Sequence, residues 1–171
     1  MNLKKLFENL FNKNKAIDQM EYEFFKNVDI FSNLNKSEIQ KLIDLTLVRN
    51  FKARELIFRE KYPHVVLYII KSGQVNLYLS IGREKITVKD LTAKDHFGEI
   101  GVFVDTARIV SAVATVDTEL IALKHSDLRQ YIKTNPAAGI KILYNLGRAM
   151  SSDLTDSYLQ VKDYETKKQN S

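Results

Sequence analysis

The chain has 171 residues, 44% of them apolar and 27% charged, the make-up of an ordinary globular protein of one domain. It contains no cysteine, which excludes disulfides, thiolate metal sites and a cysteine nucleophile, and which fits a reducing compartment. The net charge of +5 is spread along the chain and does not by itself point to nucleic acid.

The first element is a short amphipathic stretch. Leu3, Leu6, Phe7, Leu10 and Phe11 fall on one face of a helix, within an N-terminal extension taken as residues 1–20. Packing on its own domain or on a partner chain is the plainer use of residues 3–11. Lys4 and Lys5 beside the stripe leave membrane-surface contact as the alternative. No apolar core of a signal peptide follows these lysines. The longest apolar run, Val65 to Ile70, is six residues, whereas a membrane-spanning helix needs about 20. The expected location is the cytoplasm.

The main domain is taken as residues 21–165. Residues 21–48 read as helical, from Leu34, Ile39, Leu42, Ile43 and Leu47. Asn35 with Glu38 forms a capping box that starts a helix near Lys36. From Asn50 the period changes. Phe51, Leu56 and Phe58, then Leu67–Ile70, Val75–Leu79, the series Ile86, Val88, Leu91, then Val110–Val116 and Leu120–Leu123 read as short strands, with a turn at Gly82. Closely spaced short strands indicate a sandwich or roll rather than alternating βα units.

Helical period returns after Leu123. Ser126 is the expected N-cap of a helix over Asp127–Lys133, and Asn135-Pro136 starts another with Pro at its first position. Leu143, Gly147, Met150, Leu154, Ser157, Val161 and Tyr164 step by four and three, a heptad seam. It allows the 136–164 helix to pack on its own domain, to pair in a homodimer, or both. Residues 166–171 are polar and expected to be a flexible tail.

One stretch breaks the strand pattern: His96-Phe97-Gly98-Glu99-Ile100-Gly101-Val102-Phe103-Val104-Asp105-Thr106-Ala107-Arg108-Ile109-Val110-Ser111. Gly98 permits close backbone approach, and Glu99–Val104 can form a short helix whose leading N–H groups are free for an anion. Arg108 suits a phosphate, because guanidinium bonds phosphate oxygens bidentately. Glu99 could accept from the hydroxyls of a ribose. Equally, Glu99 and Arg108 could simply pair with each other.

This segment resembles the phosphate-binding cassette of the cyclic nucleotide-binding domain family, to which the catabolite activator protein and the regulatory subunits of cyclic-nucleotide-dependent kinases belong. The cassette runs Phe-Gly-Glu, a few apolar residues, a short loop, then Pro-Arg-Ala-Ala-Thr. Here Phe97-Gly98-Glu99 is followed at the same spacing by Ala107-Arg108-Ile109-Val110-Ser111. The resemblance extends from Phe31 to Tyr164 and includes Phe31-Ser32-Asn33-Leu34 and Leu67-Tyr68-Ile69-Ile70-Lys71-Ser72-Gly73.

The resemblance implies an α+β, mainly β fold: an eight-stranded antiparallel β-roll, jelly-roll-like, with N-terminal helices, a short cassette helix and two C-terminal helices. It implies a sensor whose ligand is a cyclic nucleotide, with no metal and no catalysis. Arg108 would pair with the cyclic phosphate and Glu99 with the ribose 2′-OH. Backbone N–H groups near Gly98, Glu99, Ile100 and Ser111 would complete the cradle. The base would lie near Val110 to Ala112 and the long helix, where Ser151, Ser152 and Thr155 offer hydroxyls. Ile109 lacks the hydroxyl that many members carry there, which favours cAMP over cGMP. Ala107 for Pro and the bulk of Ile109 support the alternative, a degenerate domain that binds no nucleotide and serves interaction or dimerisation. Lys61 and Lys94 stand where family loops carry Gly, which is tolerable if their φ is negative. The family's DNA-binding regulators add a helix-turn-helix after the dimer helix, and no such segment follows here, so direct nucleic-acid binding is not expected. Nor is an enzyme: His64, His96 and His125 are far apart in sequence and are expected on loops or at the surface, and no P-loop or nucleophile motif is present.

Overall fold

The computed structural model describes residues 19–169. The stripe at 3–11 lies outside them. Helix α1 (residues 19–26) and a 3-10 turn at Asp29–Phe31 lead to α2 (Lys36–Ile43). Strands β1 (Thr46–Phe51), β2 (Leu56–Phe58), β3 (Val66–Ser72), β4 (Val75–Ile81), β5 (Glu84–Leu91) and β6 (His96–Phe97) follow, then α3 (Ile100–Phe103), β7 (Ser111–Ala114), β8 (Thr118–Lys124), α4 (His125–Thr134) and α5 (Pro136–Gln169). The strands form two four-stranded antiparallel sheets, ordered β1-β8-β3-β6 and β2-β7-β4-β5. This is the expected eight-stranded roll, interrupted by a short helix and closed by two long-range helical elements.

Side-chain alternation on the central strand β3 divides the core in two. Leu67 and Ile69 face the helices, where they meet Phe25, Phe31, Ile39, Leu128 and Ile142. Tyr68 and Ile70 face between the sheets, against Phe51, Phe58, Phe97, Ala112 and Leu120. The second cluster is the floor on which the candidate site stands.

The Asn35 capping box forms: Asn35 Oδ1 accepts from Glu38 N at 2.9 Å, and the Glu38 carboxylate accepts from Asn35 N at 2.7 Å. The helix it starts is shorter than its apolar period suggests. It ends at Ile43, Thr46 Oγ1 donates to the freed Ile43 carbonyl at 2.8 Å, and Leu47 lies exposed on the edge strand β1. The four-residue step from Ile43 to Leu47 is a coincidence of spacing across a turn. Helix α4 begins at His125, with Lys124 as its cap residue and no side-chain cap; Ser126 Oγ donates to Asp127 instead. Pro136 opens α5 as expected, and α5 runs on through residues 166–169. Gly82 turns the β4–β5 hairpin, where Ile81 pairs with Glu84.

The expectation for Lys61 and Lys94 is overturned. Their φ values are +67° and +78°, in the left-handed region. Each is held there by a backbone bond into the domain, Lys61 N to Arg108 O at 2.7 Å and Lys94 N to Ile70 O at 2.8 Å. Among the described residues no helix is long and apolar enough to cross a membrane.

Candidate ligand-binding site

The site is a cavity of about 740 Å³ between the second sheet, the α3 segment and one face of α5. Its geometry begins at Gly98, whose φ of +88° favours glycine. A Cβ there would stand 2.6 Å from Val66 O and 3.1 Å from Arg108 Nη1. Only a bare Cα lets the Arg108 side chain pass behind the backbone.

Arg108 is only 5% exposed. Its Nη2 donates to Val66 O at 3.1 Å, and its guanidinium carbon lies 3.5 Å from the Phe58 ring centroid. Phe58, Tyr68 and Phe97 form one aromatic group beneath it, with centroids 5.2–6.2 Å apart. Burial pulls its pKa down to about 10, so it stays charged at neutral pH. No ion pair joins it to Glu99 or to any other carboxylate among the described residues. The pairing alternative left open by the sequence is therefore not realised. A desolvated cation held by one carbonyl and the aromatic rings leaves donors for an anion. Glu99 precedes α3, and the leading N–H groups of that helix have no preceding turn to bond.

Gly98, Glu99, Ile100, Arg108, Ile109 and Val110 all line the cavity. Ser111 does not. Its Oγ accepts from Glu60 N at 3.1 Å, and it lines a smaller depression with Arg54 and Tyr78. On α5 the cavity meets Met150, Asp153, Ser157 and Gln160 rather than Ser151, Ser152 and Thr155. The Ser151 and Thr155 hydroxyls donate to carbonyls one turn back, at 2.8 and 2.9 Å. Asp153 makes an ion pair with Lys89 of β5, which joins α5 to the sheet beside the cavity.

His64 lies on the loop before β3, as expected, whereas His96 starts β6 and His125 is buried at the start of α4, away from loop and surface. His125 is 1% exposed, and its Nδ1 and Nε2 each lie 2.9 Å from a carbonyl oxygen, of His64 and Gly98 respectively. The His64 and His125 ring centroids are 5.6 Å apart, and His64 and His96 line the cavity. Burial, then the fields of Arg108 and His125, hold the His64 pKa down to about 4, against a smaller pull from the Gly98 backbone. Burial likewise lowers His125, against its two carbonyl partners. A separation of 61 residues hides this pair from any motif; only the antiparallel neighbours β3 and β8 bring the segments together. Gly101 is part of the same packing, since a Cβ on it would meet His125 Cε1 and His64 O at 2.5 Å. Among the described residues no cluster of metal-ligating side chains is present.

The family described as "Cyclic nucleotide-binding domain" matches residues 48–135. A cAMP-dependent protein kinase regulatory subunit of Colletotrichum orbiculare is 28% identical over 135 residues, 79% of this chain and 32% of that protein. The crystal structure of the Thermus thermophilus catabolite activator protein superposes with a TM-score of 0.71 at 26% identity, covering 80% of this chain and 63% of that one. A cyclic nucleotide-binding domain from Methylobacillus flagellatus shares the fold, with a TM-score of 0.76 at 21% identity over 87% of this chain and 84% of that one. The chain thus spans about a third of the kinase subunit and under two thirds of the activator protein.

Proposed function

The chain belongs to the cyclic nucleotide-binding domain family, and on that premise we propose that it is a cyclic-nucleotide sensor that takes cAMP in preference to cGMP. The observation that carries the reading is Arg108, a buried cation at the cavity wall that makes no ion pair with a carboxylate among the described residues. A cyclic phosphate is a monoanion with acceptor oxygens in the geometry a guanidinium fits. Glu99 accepts from the ribose 2′-OH, and backbone N–H groups from Gly98 to Ile100 complete the cradle. The base lies towards Ile109, Val110 and the α5 face. Ile109 lines the cavity without a hydroxyl, which favours adenine over guanine.

The protein acts as a binding module, not an enzyme. Ligand beneath α5 shifts the helix by its differential affinity for two placements. The N-terminal part of α5 is anchored by Ala138, Ile142 and Leu146 in the core, whereas Leu154, Tyr158, Val161 and Tyr164 are exposed. That exposed stretch is the surface through which a second copy, or a downstream protein, would register the shift.

The test is thermal stability with cAMP, cGMP and cyclic dinucleotides. At 100 times the dissociation constant a ligand stabilises by about 2.7 kcal/mol, roughly 5–10 °C for a chain of this length. A shift with cAMP that Arg108→Ala abolishes is the expected outcome. Ile109, 62% exposed at the cavity, favours a second reading, a nucleotide-free interaction domain. Absence of any shift at millimolar nucleotide would select it.

A further inference from the structure

We propose that the outer face of the second sheet carries a second ligand site, for a phosphate monoester with a small aromatic body, built by Arg54, Arg59 and Lys85 around Tyr78 and Ser111. It goes beyond the nucleotide reading and does not depend on it.

Side-chain alternation along β4 and β7 sets the two sites back to back. Leu77 and Val110 line the nucleotide cavity. Tyr78 and Ser111, directly opposite each other in the ladder, point the other way and line a depression of about 490 Å³, within the size range of small-molecule sites. Outward side chains of a sheet are ordinarily wet. Here Tyr78 is 7% exposed and Ser111 3%, although Tyr78 belongs to neither core cluster. The groups around them are cationic. Lys85 stands over the Tyr78 ring, with Nζ 4.6 Å from its centroid.

The backbone places these cations. Arg54 sits in the β1–β2 turn at φ +70°, pinned to the end of β7 by its N–H, which donates to Ala114 O at 2.7 Å. Arg59 directly follows β2, and Lys85 of β5 pairs across from Ser80 of β4. Neither guanidinium makes a hydrogen bond or ion pair with a described residue, and Lys85 has only its ring contact. One carboxylate borders the depression, that of Glu60. Its Oε2 accepts from Ser80 N at 3.4 Å, and its Oε1 lies 4.0 Å from Lys61 Nζ. Three cations thus surround a space whose single carboxylate is already engaged. Ser111 Oγ accepts from Glu60 N at 3.1 Å, which leaves its own proton to donate.

This donor set selects the ligand's chemistry. A phosphate monoester carries nearly two negative charges at neutral pH, and guanidinium bonds its oxygens in pairs. An aromatic body has an apolar floor in Leu56 and Val113, which pair directly across β2 and β7 and are both half-buried.

The test is calorimetric titration of the full chain with phenyl phosphate at low salt, compared with inorganic phosphate, sulfate and phenol. Wild type, the double variant Arg54→Gln with Arg59→Gln, and Arg108→Met are titrated, and backbone amide NMR shifts locate the ligand. Wild type is expected to bind phenyl phosphate saturably and more tightly than inorganic phosphate, and not to bind phenol. The double variant alters two exposed side chains, so its melting temperature should hold while it binds about tenfold more weakly. Arg108→Met should bind as wild type does, with shifts at Glu60, Ser80 and Ser111. Equal affinity for phosphate, sulfate and phenyl phosphate would mean an adventitious ion only and would overturn the site. Undiminished binding by the double variant would overturn it too. So would loss of binding in Arg108→Met, which would put the ligand in the nucleotide cavity. No saturation of wild type at about 10 mM phenyl phosphate would reduce the depression to a solvated cationic face.

Discussion

Gly98 and Arg108 occupy one shared volume. The Arg108 Nη1 lies 3.1 Å from where a Gly98 Cβ would be, and the Val66 oxygen that accepts from Nη2 lies 2.6 Å from the same point. Glycine at 98 is therefore what allows a guanidinium to reach the cavity wall. Gly98→Ala should destabilise the protein by roughly 2 kcal/mol or more, from the left-handed backbone and the clash together. It should also abolish the nucleotide-induced thermal shift. Urea denaturation of the variant at unchanged stability would refute the packing described for this corner.

Arg108 separates function from stability. Its charge is buried with no ion-pair partner among the described residues, and the Val66 carbonyl and the Phe58 ring offset only part of the desolvation cost in the empty domain, so a bound anion would offset more. Arg108→Met keeps the aliphatic bulk against Phe58 and removes the charge. This variant should match or exceed wild-type stability in denaturant without ligand. Its affinity for cAMP should fall by roughly 2–5 kcal/mol, the cost of stranding a desolvated phosphate. A variant that unfolds more readily than wild type would make Arg108 a structural residue.

Much of this arrangement was legible in the sequence, for identifiable reasons. The strands of the roll announced themselves by β-branched and aromatic runs between turns, and the Asn35–Glu38 box by its three-residue step. The resemblance placed Gly98, Glu99 and Arg108 because the cassette is contiguous. What could not be read depends on tertiary neighbours. The histidine pair arises from strand pairing across 61 residues. The cavity-facing side of α5 is set by which residues enter the core, Ile142 and Leu146, and that rotates Asp153 inward and Ser151 outward. Leu47 keeps helical spacing from Ile43 by chance across a turn, although it belongs to β1.

Lys94 is a residue in a conformation that glycine fits better. Its φ is +78°, and its N–H is committed to Ile70 O at 2.8 Å. A left-handed non-glycine residue costs about 1–2 kcal/mol, while glycine adds roughly 0.5–1 kcal/mol of chain entropy. Lys94→Gly should raise stability by roughly 0.5–1 kcal/mol, and Lys94→Ala should not. Paired denaturation curves with equal slopes would measure the difference.

Acid should destabilise the empty domain over a defined window. The pKa of His64 is about 4 in the fold against 6.5 for the free side chain, and burial lowers His96 and His125 in the same direction. Between these values the unfolded chain binds more protons than the native one. The stabilisation is fully present above about pH 6.5 and is lost as pH falls towards 4. The melting temperature should decline through this range, and His64→Gln should make the decline shallower. An unchanged slope in that variant would show that His64 carries no part of the proton linkage.

The exposed length of α5 makes a prediction about assembly. Leu154 is 52% exposed and Tyr158 67%, one turn apart, with Val161 continuing the step at the next turn. A solvent-facing apolar stripe at four-and-three spacing is the seam of a two-helix pair. Nothing in the domain core rests on these side chains, because the helix is anchored upstream through Ala138, Ile142 and Leu146. Leu154→Glu with Tyr158→Glu should therefore leave the melting temperature of the monomer nearly unchanged. The same change should convert a concentration-dependent dimer of wild-type protein into a monomer, as read by light scattering. A wild-type chain that remains monomeric at high micromolar concentration would assign the stripe to a different partner protein. A dimer that survives the double substitution would place the interface elsewhere on the domain.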